Sequence, residues 1–99
     1  MRSFMNENAS KAEHEGIGDK LRTFISNSFL PQSGLEGFLD TDSFMEKGII
    51  DSTGVLELLE FIEGEFAIKV EDEEVIPDNL DSLQKLTLFV QGKLEHAGQ

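Results

Sequence analysis

Val55, Leu58, Leu59, Ile62 and Phe66 fall at spacings of i, i+3, i+4, i+7 and i+11, and an α-helix gathers such positions on one face. Glu57, Glu60, Glu63 and Glu65 take up much of the remaining surface. Residues 52–66 therefore read as an amphipathic helix with an acidic outer side, with Leu56 and Phe61 widening the stripe or lying along its edge. The same period recurs from Gly16 in Ile17, Leu21, Phe24, Ile25 and Phe29, with Pro31 and Gly34 as the expected terminators. Leu83, Leu86, Val90 and Leu94, with Phe89 beside them, predict a last helix over about residues 82–95. Asn79 and Asp81 offer caps for it, and Gly92 weakens its final turns by about 1 kcal/mol relative to alanine. Ile68-Lys69-Val70 reads as an extended link, and residues 71–76 as a short acidic helical turn stopped by Pro77. Val70, Val75 and Ile76 are β-prone, but isolated pairs do not build a sheet. The expected fold class is all-α, a small helical bundle of three main helices plus one short helix.

The stretch from about residue 32 to 50 is long for a loop in a compact domain. Leu35, Phe38, Leu39, Phe44, Ile49 and Ile50 are too apolar to be left in water, so they are expected to fill gaps between helices, with a short helical turn among them. Residues 1–15 are polar and unpatterned, with Phe4 and Met5 as their large apolar residues, and are expected to be a flexible segment ahead of a domain at 16–96. Ninety-nine residues leave no room for two independent cores. No stretch approaches the ~18 consecutive apolar residues of a membrane span. The opening Met1-Arg2-Ser3-Phe4-Met5 runs into Asn6-Glu7-Asn8 rather than an apolar core, so no secretory signal is expected. A cytoplasmic location follows as an expectation, and Asn8-Ala9-Ser10 reads as a chance match to the glycosylation sequon.

Twenty acidic residues stand against eight basic ones, a formal net charge of −12. Duplex nucleic acid and anionic membranes would repel such a chain, so basic protein surfaces are the expected partners of what should be a monomer. The absence of cysteine excludes disulfides and thiolate metal sites. His14 and His96 lie in polar segments near opposite ends, with no ligand set or triad beside them. Asp40-Thr41-Asp42, with Asp51 at loop position twelve, begins like a calcium loop. Phe44 and Met45 then occupy the fifth and sixth positions, where an oxygen ligand and a glycine are needed. No metal is expected.

The segment that carries chemistry is Gly48-Ile49-Ile50-Asp51-Ser52, where a loop meets the acidic helix. Unpaired backbone N–H groups and the positive end of the macrodipole favour an anion at a helix start. Apolar Ile49 and Ile50 would anchor the approach and leave Ser52 in solvent. Asp51 is a good N-cap, and Ser52 could serve instead if the helix begins one residue later. Two readings stand side by side: Asp51-Ser52 is a capping pair, or Ser52 is a modified serine. A hydrolase built on Ser52 would need a base and a substrate pocket, and neither histidine lies in a segment placed beside it.

Phe44-Met45-Glu46-Lys47-Gly48-Ile49-Ile50-Asp51-Ser52, then Val55-Leu56-Glu57-Leu58-Leu59 and Glu63-Gly64-Glu65-Phe66-Ala67-Ile68, resembles the acyl carrier protein family. The resemblance spans about residues 17–94. It implies no catalytic residue and no enzyme activity. It implies instead a 4′-phosphopantetheine arm attached to Ser52, with Asp51, Thr53 and Gly54 around the attachment point. A phosphopantetheinyl transferase would install the arm, and its thiol would hold an acyl or aminoacyl group as a thioester. Partners would be a loading ligase or synthase and downstream transferases, docking chiefly on the second helix, with Glu57, Glu60 and Glu63 as the chosen contacts. Fatty-acid carriers commonly place a bulky apolar residue after the serine. Asp51-Ser52-Thr53-Gly54-Val55 looks more like stand-alone carriers loaded by adenylating ligases, D-alanyl carriers among them, and Gly54 is expected to leave space beside the arm. Some family members open the bundle to take an acyl chain between helices. From Asp51 through Asp81 eleven acidic residues face one lysine, Lys69, which suits basic partner rims. Net charge and architecture also fit a cofactor-free acidic interaction module, and only the setting of Ser52 separates the two.

Overall fold

The computed structural model describes residues 16–97. Helix α1 runs through residues 16–28, followed by α2 at Leu30–Ser33, α3 at Ser52–Phe66, a 3₁₀ turn at Asp72–Glu74, α4 at Pro77–Leu80 and α5 at Leu83–Ala97. Among the described residues there is no strand. The three long helices α1, α3 and α5 are the expected all-α bundle, and the short helices bridge them. No helix among the described residues is long and apolar enough to cross a membrane. The expected flexibility of residues 1–15 falls outside the described residues.

Each long helix buries the stripe read from its period. Ile17, Leu21 and Ile25 from α1, Leu58 and Ile62 from α3, and Leu83, Leu86 and Val90 from α5 form one apolar core. Phe24, Val55, Leu59, Phe61, Phe66, Phe89 and Leu94 pack around it, partly covered. Phe24 stacks on Phe61 with ring centroids 4.1 Å apart and planes 7° from parallel, which fixes α1 against α3. Leu56 faces solvent, with 63% of its surface exposed; it stands outside the stripe rather than widening it.

The two prolines behave differently from the expectation. Pro31 does not close α1 but sits in the first turn of α2, and Pro77 does not stop a helical turn but opens α4. In a first turn the missing N–H has no intrahelical partner to lose, and the ring presets the helical φ. The left-handed Gly34, at φ 80°, then terminates α2.

Capping of α5 also departs from expectation. Ser82 Oγ, not Asn79 or Asp81, accepts from the Lys85 N–H at 3.1 Å. Asn79 Nδ2 donates to the Glu74 carbonyl at 2.9 Å, and Asp81 is engaged by the long loop. Of the six loop residues expected to be covered, Phe38, Phe44, Ile49 and Ile50 are buried. Leu35 and Leu39 are exposed. Leu39 lies at a tight turn closed by its N–H on Asp42 Oδ2 at 2.8 Å and by the Asp42 N–H on its carbonyl at 3.1 Å. At such a tip a side chain has no neighbouring element to cover it, and a single exposed leucine is ordinary.

Arg22 ties the loop to α1. Its guanidinium donates to the Phe38 carbonyl at 2.9 Å, pairs with Asp40 and lies 4.5 Å from the Phe38 ring centroid. Glu74 ties the 3₁₀ turn to α5 in a similar way. Its carboxylate accepts from the Glu71 N–H at 2.9 Å and from Lys93 Nζ at 2.9 and 3.2 Å. The Glu71 N–H and then Lys93 hold this carboxyl below its ordinary 4.5. A carboxyl depressed by folding stabilises above its unfolded value and loses that contribution as pH falls through its folded value. Glu74→Gln is expected to cost about 0.5–1 kcal/mol at neutral pH, the range of a partly exposed pair. In urea titrations the difference between wild type and variant should shrink as pH is lowered below 4.5.

Candidate functional site

The approach to Ser52 is a turn closed on a single residue. Phe44 is buried, with its ring edge-on to Phe38 at 5.7 Å, and its carbonyl accepts from Ile49 N–H at 2.8 Å and Ile50 N–H at 3.3 Å. Its own N–H donates to the Asp81 carbonyl at 3.0 Å. Gly48 takes φ 71°, a left-handed conformation that glycine adopts without the steric cost of a side chain. The chain can then reverse so that Ile49 and Ile50 both drop into the core.

Asp81 braces this turn from below. Its carboxylate accepts from the Ser43 hydroxyl and from the Met45 N–H at 3.1 Å, while Ser43 Oγ accepts from the Glu46 N–H at 3.1 Å. Sequence reasoning missed this brace because Ser43 and Asp81 lie 38 residues apart, and no local pattern connects them.

Beyond Ile50 the chain surfaces. Asp51 is extended, at φ −102° and ψ −176°, and its Oδ1 accepts from the Gly54 N–H at 2.8 Å. That makes Asp51 the N-cap and Ser52 the first helical residue, as one of the two cap readings had it. Asp51, Ser52 and Thr53 are exposed, so the Ser52 hydroxyl stands in solvent at the end of α3 where backbone N–H groups lack helical partners. Gly54 does not leave space beside this hydroxyl. It is buried, and a methyl group on it would meet the Phe29 ring at 2.9 Å.

The acidic side of α3 is divided by use. Glu57 and Glu60 are exposed. Glu63 Oε2 accepts from the Val70 N–H at 2.9 Å, so this carboxylate fastens the link after α3 besides contributing charge. Glu65 pairs with Lys20 at 3.1 Å. The carboxylates of the would-be calcium loop also have tasks within the fold: Asp40 binds Arg22, Asp42 closes the turn at Leu39, and Asp51 caps α3. An apolar cavity of about 110 Å³ lies among Phe44, Ile50, Val55, Leu58, Ile76 and Leu80. Val55, three residues after Ser52, forms part of its wall.

This arrangement has a close counterpart. An acyl carrier protein from Thermotoga maritima, known from its crystal structure, is 30% identical in sequence with a TM-score of 0.64, and the match covers 86% of this chain and 94% of that one. The chain belongs to the acyl carrier protein family. Membership makes it a carrier protein. No protein-family model matches the carrier's sequence, and no curated protein does. The motif positions of this carrier are thus held by a short turn and a cap. Asp51→Ala removes the acceptor of the Gly54 N–H and is expected to lower the carrier's stability by about 1 kcal/mol, with Asp51→Asn within a few tenths of wild type. Urea midpoints compared at constant m-value measure both.

Proposed function

We propose that the protein carries an acyl or aminoacyl group as a thioester on a 4′-phosphopantetheine arm attached to Ser52. The observation that carries this reading is a solvent-exposed serine at the first position of α3, held there by the Asp51 cap, in a chain of the acyl carrier protein family. The residues fit a phosphate-linked arm. The exposed hydroxyl is accessible to a transferase, and the N–H groups and dipole of the first turn of α3 favour a phosphodiester beside it. When bound, the arm supplies the thiol that the cysteine-free chain lacks.

In the modification Ser52 Oγ forms the new bond to the β-phosphorus of coenzyme A. The bridging pyrophosphate bond breaks, 3′,5′-ADP departs, and the serine proton passes to a base on the transferase. The chain performs no bond chemistry afterwards; its task is presentation. Exposed Glu57 and Glu60 supply charge for basic rims on the transferase, on the loading ligase or synthase, and on later transferases. Such charge raises association rates and does so less as salt rises.

The nearby apolar cavity bears on cargo. A cavity of about 150 Å³ lined by Leu, Ile and Phe accepts benzene, so the 110 Å³ space beside Val55 and Leu58 has room for a short apolar acyl group. The Asp51-Ser52-Thr53-Gly54-Val55 motif supports the related reading of an aminoacyl carrier loaded by an adenylating ligase. Gly54 no longer supports it by making room for the arm, because packing against Phe29 accounts for that glycine.

Incubation with coenzyme A and a broad-specificity phosphopantetheinyl transferase should raise the intact mass by one phosphopantetheine. Ser52→Ala should abolish the gain while keeping the helical circular dichroism spectrum. Unmodified wild type beside a labelled control carrier would favour the cofactor-free acidic interaction module. In the same assay, the double charge reversal Glu57→Lys with Glu60→Lys should raise KM about tenfold at low ionic strength, and the difference should narrow as salt is added.

A further inference from the structure

Gly54 is the fully buried residue of the first turn of α3. Asp51, Ser52 and Thr53 are exposed, whereas Gly54 is buried. A methyl group built on its Cα would lie 2.9 Å from Phe29 Cε1, 3.1 Å from Ile50 Cγ2 and 3.3 Å from Asp51 Oδ1. Carbon atoms rest at about 3.5–4.0 Å, so the bare Cα of Gly54 is what lets the ring edge come this close.

The neighbours of that Cα have little freedom to withdraw. Phe29 is 5% exposed and Ile50 2% exposed. Phe29 stands edge-on to Phe24, with centroids 5.7 Å apart at 85°, and Phe24 stacks face to face on Phe61. Phe61 belongs to α3 itself. The aromatic set is therefore referenced to the body of the helix whose first turn Phe29 touches. The compliant part of the contact is the turn, which has solvent on its outer side and carries Ser52.

We propose that Phe29 and Gly54 are positioning residues for the modification of Ser52, the ring edge acting as a stop that sets the height of the first turn of α3. This inference rests on the carrier reading of Ser52. Neither residue touches the reacting atoms. A Cβ at position 54 would lie 2.9 Å from the Phe29 ring, so something must shift; taken up by the turn, a shift of about a few tenths of an ångström moves the serine oxygen relative to the docking face formed by Glu57 and Glu60. A transferase seated on those glutamates would then meet the hydroxyl out of line. Misplacement of about 1 Å costs on the order of a hundredfold in rate, so a shift of a few tenths should cost several-fold to tenfold, in kcat rather than KM.

The test is steady-state phosphopantetheinylation with coenzyme A and a broad-specificity transferase. Gly54→Ala is expected to lower kcat roughly tenfold with KM unchanged, the pattern of an interaction realised only in the transition state. Adding Phe29→Leu to Gly54→Ala removes the ring edge and should restore most of that loss. Gly64→Ala, on the same helix with nothing within 4 Å of an added methyl, should leave both constants unchanged. If Gly54→Ala does not fold, Phe29→Leu alone decides: the turn loses its stop, and kcat should fall several-fold at constant KM. Wild-type kcat in Gly54→Ala, no recovery in the double variant, or wild-type kcat in Phe29→Leu would each overturn the proposal. Wild type that takes no label at all would overturn the carrier reading instead, so the two failures are distinct.

Discussion

The geometry around Ser52 depends on the burial of Phe44. Once that ring is in the core, its two backbone groups become the fixed points of the loop, the N–H on the Asp81 carbonyl and the carbonyl on the N–H groups of Ile49 and Ile50. Burying these polar groups without partners would cost more than the hydrogen bonds return, so the turn has to close on itself. Closure brings Ile49 and Ile50 inward and delivers Asp51 to the surface in the extended conformation that an N-cap requires. The exposure of Ser52 is thus a consequence of packing several residues upstream.

Much of this could be read from residue order alone, because the decisive rules there are local. The stripe from Val55 to Phe66 placed α3 with the same ends as in the structure, and Asp51 was recognisable as a cap. What could not be read depended on partners distant in sequence or on the other side of a contact. Asp81 looks like a helix cap until Ser43 and Met45 take its carboxylate. Glu63 looks like surface charge until it accepts from Val70. Pro31 and Pro77 read as stops because proline cannot continue a helix, yet the same missing N–H suits a helix start. Gly54 reads as leaving space beside the arm, and the Phe29 ring that fills that space lies outside any local window.

On the proposed carrier reading, the division of labour within α3 lets so small a chain serve several partners. Its inner side holds the bundle together through Leu58 and Ile62, with Phe61 linking it to α1. Its outer side keeps Glu57 and Glu60 in water, where, on that reading, charge would guide encounter without committing the chain to one tight complex. A presenter of cargo needs that combination, since it must bind each enzyme in turn and leave. Ile50 belongs both to the wall of the cavity beside Val55 and to the contact around Gly54, so the cavity and the support of the turn share a residue.

The most direct measurement is peptide mapping by tandem mass spectrometry of the protein isolated from cells that make it. The account predicts a phosphopantetheine-bearing peptide whose fragments place the group on Ser52. A modification found on Ser43, Ser82 or another hydroxyl, with Ser52 unaltered, would contradict it.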